Sequence, residues 1–332
     1  MTRYQVSLEV VEGFQVMKLV DSITESVAEI IPEIGNNLFR FESAGIQIIL
    51  PPATLGSLKT ETFAAFKYGT PILFPPNRIK EATFRFRDRT YNFPVNEPPH
   101  YHLHGELCTS AWEIVEWGES DSQGATVMNR FRIVDHPEIF AYFPHSITFT
   151  VRYTLLDGRL QMETTIVNEG IDEAPFAFGL HPYFSIPFES NERIQLKIPA
   201  HAQWPVTQQS FVTGLPSDTS FSAKLRNGIA VEDYPKLGCS MVEVRNVYEG
   251  GTYRCTLQMI DRGYAIHYDI DPKFPFILLF RPDWASAFSI EPYTCLTDAF
   301  NLPYAHTLTG VQGISAKETL RFNTCLKIEI QT

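Results

Sequence analysis

Residues 177–187 read Ala177-Phe178-Gly179-Leu180-His181-Pro182-Tyr183-Phe184-Ser185-Ile186-Pro187. One histidine stands in an apolar and aromatic run bounded by Pro175 and Pro187, and those prolines argue against a helix through it. The segment reads as a strand that enters a turn, with His181 at the strand end. Taken alone, an imidazole in apolar surroundings is most often a satisfied core residue. Two further stretches change that weighting. Tyr101-His102-Leu103-His104-Gly105-Glu106 is centred on histidine, and Ser289-Ile290-Glu291-Pro292-Tyr293-Thr294 sets a carboxylate in an equally apolar run. Two imidazoles and one carboxylate form a workable acid/base set, although sequence distance neither supports nor excludes their meeting.

Outward from this stretch, strand signals dominate. Tyr4–Val10 and Gln15–Leu19 alternate, and strands are predicted again at Ser26–Ile31, Asn37–Phe41 and Gly45–Leu50. A helix is predicted over Ser57–Tyr68, with Leu58, Phe63, Ala64 and Phe66 as its apolar stripe. Pro71–Ile79 reads as an apolar strand stopped by prolines. Over Phe84–Arg89 the alternation places Arg85, Arg87 and Arg89 on one face. Predicted strands continue from Trp112 to Asn168, with Asp157-Gly158 as a hairpin turn. They resume after residue 190, through Ser240–Val247 and Phe276–Phe280, and finish at Thr319–Ile330. Short strands punctuated by 23 Pro and 19 Gly, with no repeat and no linker-like composition shift, predict an all-β antiparallel sandwich built as a single domain over 1–332.

Composition narrows the function classes. A length of 332 residues permits a large core. The formal net charge of −11 disfavours nucleic acid or an anionic membrane as the main partner. No basic-plus-apolar N-terminal signal is visible, and the longest apolar run, Phe276-Ile277-Leu278-Leu279-Phe280, is far too short to cross a bilayer. Five scattered cysteines without a C-x-x-C pair argue against a disulfide framework or a structural zinc site. A soluble protein in a reducing cytoplasmic setting is expected.

Each constellation has a bland alternative. His100, His102, His104 and Glu106 give an H-x-H-x-x-x-E spacing that could hold a metal. Pro98-Pro99 interrupt the strand just before it, however, and solvated side chains are the expectation for His100 and His102. The three arginines of 85–89 suit a phosphate or carboxylate clamp, but an exposed strand face is the commoner explanation. Glu291 requires a reason to sit in an apolar strand, because burial without compensation raises a carboxyl pKa. A buried salt bridge would be one. Signature loops for nucleotide binding, serine hydrolases and zinc proteases do not occur.

Several short stretches, in this order, resemble the aldose 1-epimerase (galactose mutarotase-like) family. They are Asn77-Arg78-Ile79, Leu103-His104-Gly105 followed by Trp112, His181-Pro182-Tyr183-Phe184, and Glu291-Pro292 with Asp298-Ala299-Phe300-Asn301. The resemblance runs from about residue 15 to the C-terminus. It implies a large β-sandwich of the supersandwich type with an open sugar cleft. It also implies Glu291 as general base, His181 as general acid and His104 as assisting histidine. By the same resemblance Arg78 contacts a sugar hydroxyl, with Asn77, Tyr183 and Trp112 also about the sugar. Asp233 or Asp218 stands for the family's sugar-contacting aspartate. Two departures are visible: Gly105 is followed by Glu106 where the family often has a second glycine, and Lys80-Glu81-Ala82 replaces a glycine-bearing turn.

The implied activity is an isomerase reaction, interconversion of the α and β anomers of a free hexose. The partner is a small sugar and the chain a monomer or homodimer. The residues suffice chemically, because a carboxylate can take the proton of the C1 hydroxyl while an imidazolium supplies one to the ring oxygen. No metal, nucleotide or redox cofactor is required by that chemistry. An apolar site is expected to raise the Glu291 pKa, and the neighbouring carboxylate to help His181 stay protonated. A hexose 6-phosphate epimerase and a non-catalytic carbohydrate-binding protein are the competing readings.

Overall fold

The structure is a computed structural model that describes residues 2–60, 64–186, 192–245 and 251–331. Two large sheets dominate it. The first begins with the meander Tyr4–Val11, Phe14–Asp21, Ser26–Ile31, Asn37–Ser43 and Ile46–Ile49. It continues through Tyr183–Ser185, Ala287–Tyr293, Phe276–Phe280, Cys239–Val244 and Ala200–Trp204. The second runs from Glu113–Ser120 through Gly124–Arg132, Ile147–Leu156 and Arg159–Asn168 to the long C-terminal strand Thr319–Ile330. Beyond that strand lie Tyr264–Ile270 and Tyr253–Met259. The pairings within both sheets are antiparallel, as the alternating pattern predicts.

Period-two alternation explains the core. In Ile147–Leu156 the side chains of Phe149, Val151, Tyr153 and Leu155 are buried, and Thr150, Arg152, Thr154 and Leu156 are partly exposed. These residues belong to one continuous apolar cluster with Phe41, Ile49, Phe184 and Phe288 of the first sheet. Trp112 belongs to it too. Its indole is 5% exposed, donates from Nε1 to Leu107 O at 3.1 Å and packs beside Phe131. The resemblance put it about the sugar, but its size and apolarity place it inside instead.

Central strand Ala287–Tyr293 is buried at every position, because one face meets the core and the other forms the floor of a cavity. Leu278 pairs with Glu291, Ser289 with Tyr183 and Tyr293 with Gly179. The alternation therefore gathers Ser289, Glu291 and Tyr293 on a common face.

Three local expectations change. The segment predicted as one helix over 57–68 is described as a helical turn at Ser57–Thr60 and a 3₁₀ turn at Ala64–Phe66, with 61–63 outside the described residues. Strand alternation over 84–89 breaks at Arg87, whose φ of +54° turns the chain back into a hairpin between Thr83–Phe86 and Arg89–Asn92. Pro187 and the end of the predicted strand 240–247 lie outside the described residues.

Gly105 is a glycine for a definite reason. Its φ is +67°, and an added Cβ would lie 1.9 Å from Phe74 O. Gly105→Ala is expected to lower stability by at least about 2 kcal/mol, from left-handed strain together with the backbone clash. A reduced urea midpoint at unchanged m-value would show it.

Candidate active site

The cavity above the central strand has a volume of about 500 Å³. Asn77, Arg78, His104, His181, Tyr183 and Glu291 all line it, so six of the side chains named from sequence meet in one place. They arrive from distant segments. Asn77 and Arg78 open the short strand Arg78–Lys80, which pairs with Tyr101–Leu103 and so sets His104 at the exit of the partner strand. His181 follows Gly179–Leu180 and precedes Tyr183–Ser185, at the strand-to-turn position expected.

Glu291 is completely buried, and its Oε1 stands 3.3 Å from His181 Nε2. The second oxygen, Oε2, accepts a short hydrogen bond from the Tyr293 hydroxyl. Among the described residues Oε1 has no hydrogen-bond partner, so an acceptor is left aimed at the cavity. Burial pushes the Glu291 pKa up to about 8, against the opposing pull of the Tyr293 hydroxyl. Burial also lowers His181, to about 3. Desolvation of the imidazolium thus outweighs the help expected from the carboxylate, and burial favours the neutral imidazole beside the protonated carboxyl.

The tautomer of His181 follows from its neighbour. Ser289 Oγ donates to Pro182 O at 2.8 Å, so its proton is committed. It can then only accept from His181 Nδ1, 2.9 Å away. Nε2 is left bare, facing Tyr183 OH and Glu291 Oε1, each at 3.3 Å. One proton therefore lies between Oε1 and Nε2, whichever atom carries it.

His104 is held differently. Its Nδ1 accepts from the Asn77 amide at 3.2 Å, while its own amide donates to Asn77 O at 2.9 Å. Both residues adopt left-handed backbone, with φ of +64° and +59°. Burial keeps the imidazole well below its ordinary pKa, so neutral His104 carries its proton on Nε2 as a donor. Its ring centroid is 5.3 Å from that of His181.

Arg78 is clamped by Glu97, with Nε to Oε2 at 2.6 Å and Nη2 to Oε1 at 2.7 Å. Glu97 was not singled out from sequence, and Tyr293 and Ser289 were quoted without a role. Period two from Glu291 would have found the last two, whereas nothing local marks Glu97. The aspartate candidates do not line the cavity. Asp233 is exposed at the end of the 3₁₀ turn Val231–Asp233, and Asp218 binds Arg226 and Ser222. Trp112 is in the core, as described.

The other sequence constellations disperse. His100 is exposed beside Glu81, at 3.2 Å. His102 is wholly buried rather than solvated, its Nδ1 2.7 Å from Pro94 O and its ring against Phe93. Glu106 lies near Tyr142. Arg87 binds Glu173, and Arg89 covers the Tyr91 ring. None of the three arginines lines the cavity. Glu81 and Ala82 both take positive φ, at the turn where the family's glycine would sit without strain.

The sandwich of these two sheets is the fold of galactose mutarotase-like proteins. A galactose mutarotase-like protein from Clostridium acetobutylicum has the same fold, with a TM-score of 0.89 at 23% identity over 99% of both chains. A galactose 1-epimerase from Lactobacillus acidophilus NCFM matches with a TM-score of 0.77 at 13% identity over 100% of both. The aldose 1-epimerase family model matches residues 23–326, and the chain belongs to that family. Curated relatives match over less of the chain. The uncharacterized Escherichia coli protein YihR is 25% identical over 55% of this chain and 55% of its own length, so the match spans about half of that relative. The uncharacterized YphB of the same organism is 25% identical over 69% and 72%.

A carboxyl whose pKa is raised by folding, from an ordinary 4.5 to about 8, costs stability as pH rises through that interval. The unfolded chain releases the proton first, and the loss is complete above the folded value. Glu291→Gln removes this penalty. It is expected to be more stable than wild type, with the gap growing from pH 5 to pH 8 to roughly 1–4 kcal/mol. Paired urea melts across pH test this, and a gap independent of pH would refute the raised pKa.

Proposed function

We propose that this cavity interconverts the α and β anomers of a free aldohexose by acid/base ring opening and reclosure. The observation that carries the reading is the Glu291–His181 pair, buried and 3.3 Å apart at the cavity floor, where burial favours one proton between the two groups.

The reaction needs that bookkeeping. A bound sugar donates its C1 hydroxyl to Glu291 Oε1 and accepts at its ring oxygen from His181 Nε2. Hydrogen bonds to the charged forms offset the desolvation that keeps the empty pair neutral, so sugar binding favours carboxylate and imidazolium. Glu291 takes the C1 proton as His181 protonates the ring oxygen, and the C1–O5 bond opens to the aldehyde. Rotation about C1–C2 presents the other carbonyl face, and the two groups then exchange roles to reclose the ring. His104 donates from Nε2 to a sugar oxygen. Arg78, Tyr183 and the Asn77 turn hold the ring or its supports in register. Positioned proton transfer of this kind contributes roughly 10²–10⁴-fold per group.

Optical rotation of freshly dissolved α-glucose and α-galactose, with the spontaneous rate subtracted, tests the activity. Wild type should accelerate the approach to equilibrium. Glu291→Gln should lower kcat by about 10²-fold or more while sugar affinity by calorimetry stays within a few-fold. Retained turnover in that variant removes Glu291 as the base. Sugar binding without any acceleration by wild type leaves a carbohydrate-binding protein instead.

The shared proton also sets the pH profile. Between the two pKa values, about 3 and about 8, the pair holds one proton whichever group carries it. The kcat/KM should therefore be flat from pH 5 to 7 and fall tenfold per pH unit above about 8. Tyr293→Phe deletes a hydrogen bond to the charged form and should move that alkaline limb upward. A downward or absent shift would contradict the assignment.

A further inference from the structure

The cavity also holds an ion pair that neither the acid nor the base role uses. Arg78 offers five N–H donors in a fixed fork. Glu97 takes Nε and one hydrogen of Nη2, and Gln209 O takes one from Nη1 at 3.3 Å. One N–H on each terminal nitrogen is left without a partner among the described residues. Each Glu97 oxygen in turn accepts one of these bonds and retains a free lone pair. Both side chains line the cavity and are about one-fifth exposed, at 20% and 22%.

The pair is built, not incidental. Asn96 braces the loop before it, accepting from the Leu103 amide at 2.6 Å and donating to Leu103 O at 2.9 Å. Glu97 and Tyr101 exchange backbone hydrogen bonds at 3.0 Å in both directions. Leu103 is itself the strand partner of Arg78. The carboxylate and the guanidinium are thus fixed by the same two-strand unit, which also ends in His104.

We propose that Glu97 is the specificity-determining residue of this cavity, and that with Arg78 it reads two neighbouring hydroxyls of an uncharged sugar. The inference rests on the mutarotase reading. One hydroxyl can donate to Glu97 Oε1 and accept from Arg78 Nη2, and its neighbour can accept from Nη1, a pattern that matches a vicinal diol. With the cation already neutralised by a carboxylate, a phosphate or carboxylate on the ligand gains little from Arg78 and is repelled by Glu97. The pair thus favours a free sugar over an anionic one at this position, against the attraction of Lys67, which also lines the cavity. Neither Asp233 nor Asp218 reaches the cavity, and Glu97 supplies there the carboxylate they do not.

Anomer-exchange NMR with Glu97→Gln tests the inference, using glucose, its 2-, 3- and 4-deoxy analogues, glucose 6-phosphate and glucuronate. The expected result is a KM for glucose raised about tenfold with a much smaller change in kcat. That penalty should shrink for the deoxy analogue lacking a contacted hydroxyl. The preference for neutral over anionic sugars should narrow by about tenfold, because the variant leaves Arg78 unneutralised. Equal losses on neutral and anionic sugars would mean that Glu97 merely supports Arg78, and would overturn the proposal. An unchanged KM and unchanged selectivity would overturn it as well, while wild-type acceleration keeps the mutarotase reading intact. Absence of acceleration by wild type with every sugar would remove both.

Discussion

The arrangement depends on the desolvation of one carboxylate. Glu291 occupies a strand buried along its whole length, and one of its oxygens has no hydrogen-bond partner among the described residues. Such a group is costly in any interior, so the structure around it must be over-determined. Tyr293 holds the other oxygen, and its ring fits because the residue opposite is Gly179, where a Cβ would stand 2.5 Å from Tyr293 Cδ1. Ser289, two residues the other way, orients His181 by its single proton. One face of a seven-residue strand therefore carries the base, its supporting phenol and the group that fixes the acid.

The other wall of the cavity is built from turns. Asn77 and His104 sit across from each other in left-handed conformations and exchange backbone-anchored hydrogen bonds. Left-handed backbone is unfavourable for a residue with a Cβ, and asparagine and histidine are among the side chains that tolerate it. Here the strain is offset by a bond from the Asn77 amide to the His104 ring, which also settles the tautomer. Gly105 follows at once because the chain must then pass against Phe74 O, a contact that only a residue without a Cβ permits. The order Asn-Arg and His-Gly is thus a geometric requirement of this wall.

Much of this was legible in the sequence because it depends on local chemistry. Alternation revealed the sheets, and prolines around His181 placed it at a strand end. Glu291 was conspicuous as a charge in an apolar run. What escaped depended on packing between distant segments. Trp112 was an aromatic without a partner in sequence, and the core took it. His102 was expected to be solvated beside the strand-breaking Pro98-Pro99, yet the loop carrying Phe93 and Pro94 covers it. Glu97 was hidden in a Pro-rich loop, and its meaning arises only when strand pairing puts it beside Arg78. The protonation of His181 was misjudged for a related reason: proximity to a carboxylate was visible in outline, but the depth of burial that outweighs it was not.

Charge balance connects the two halves of the site. Glu291 and His181 share one proton, so the pair is neutral overall either as carboxyl and imidazole or as carboxylate and imidazolium. Arg78 and Glu97 form a second balanced pair, and Lys67, at the lining's edge, rests over the Trp284 ring at 5.3 Å. A proton can then move between Oε1 and Nε2 through the sugar without changing the net charge of the cavity at any stage. In a poorly solvated site this matters more than the strength of either group, because an uncompensated charge would cost more than the transfer itself. The balanced Arg78–Glu97 pair itself offers little attraction to an anion. Reactivity and choice of ligand therefore follow from one electrostatic rule, with burial ensuring that the rule is enforced.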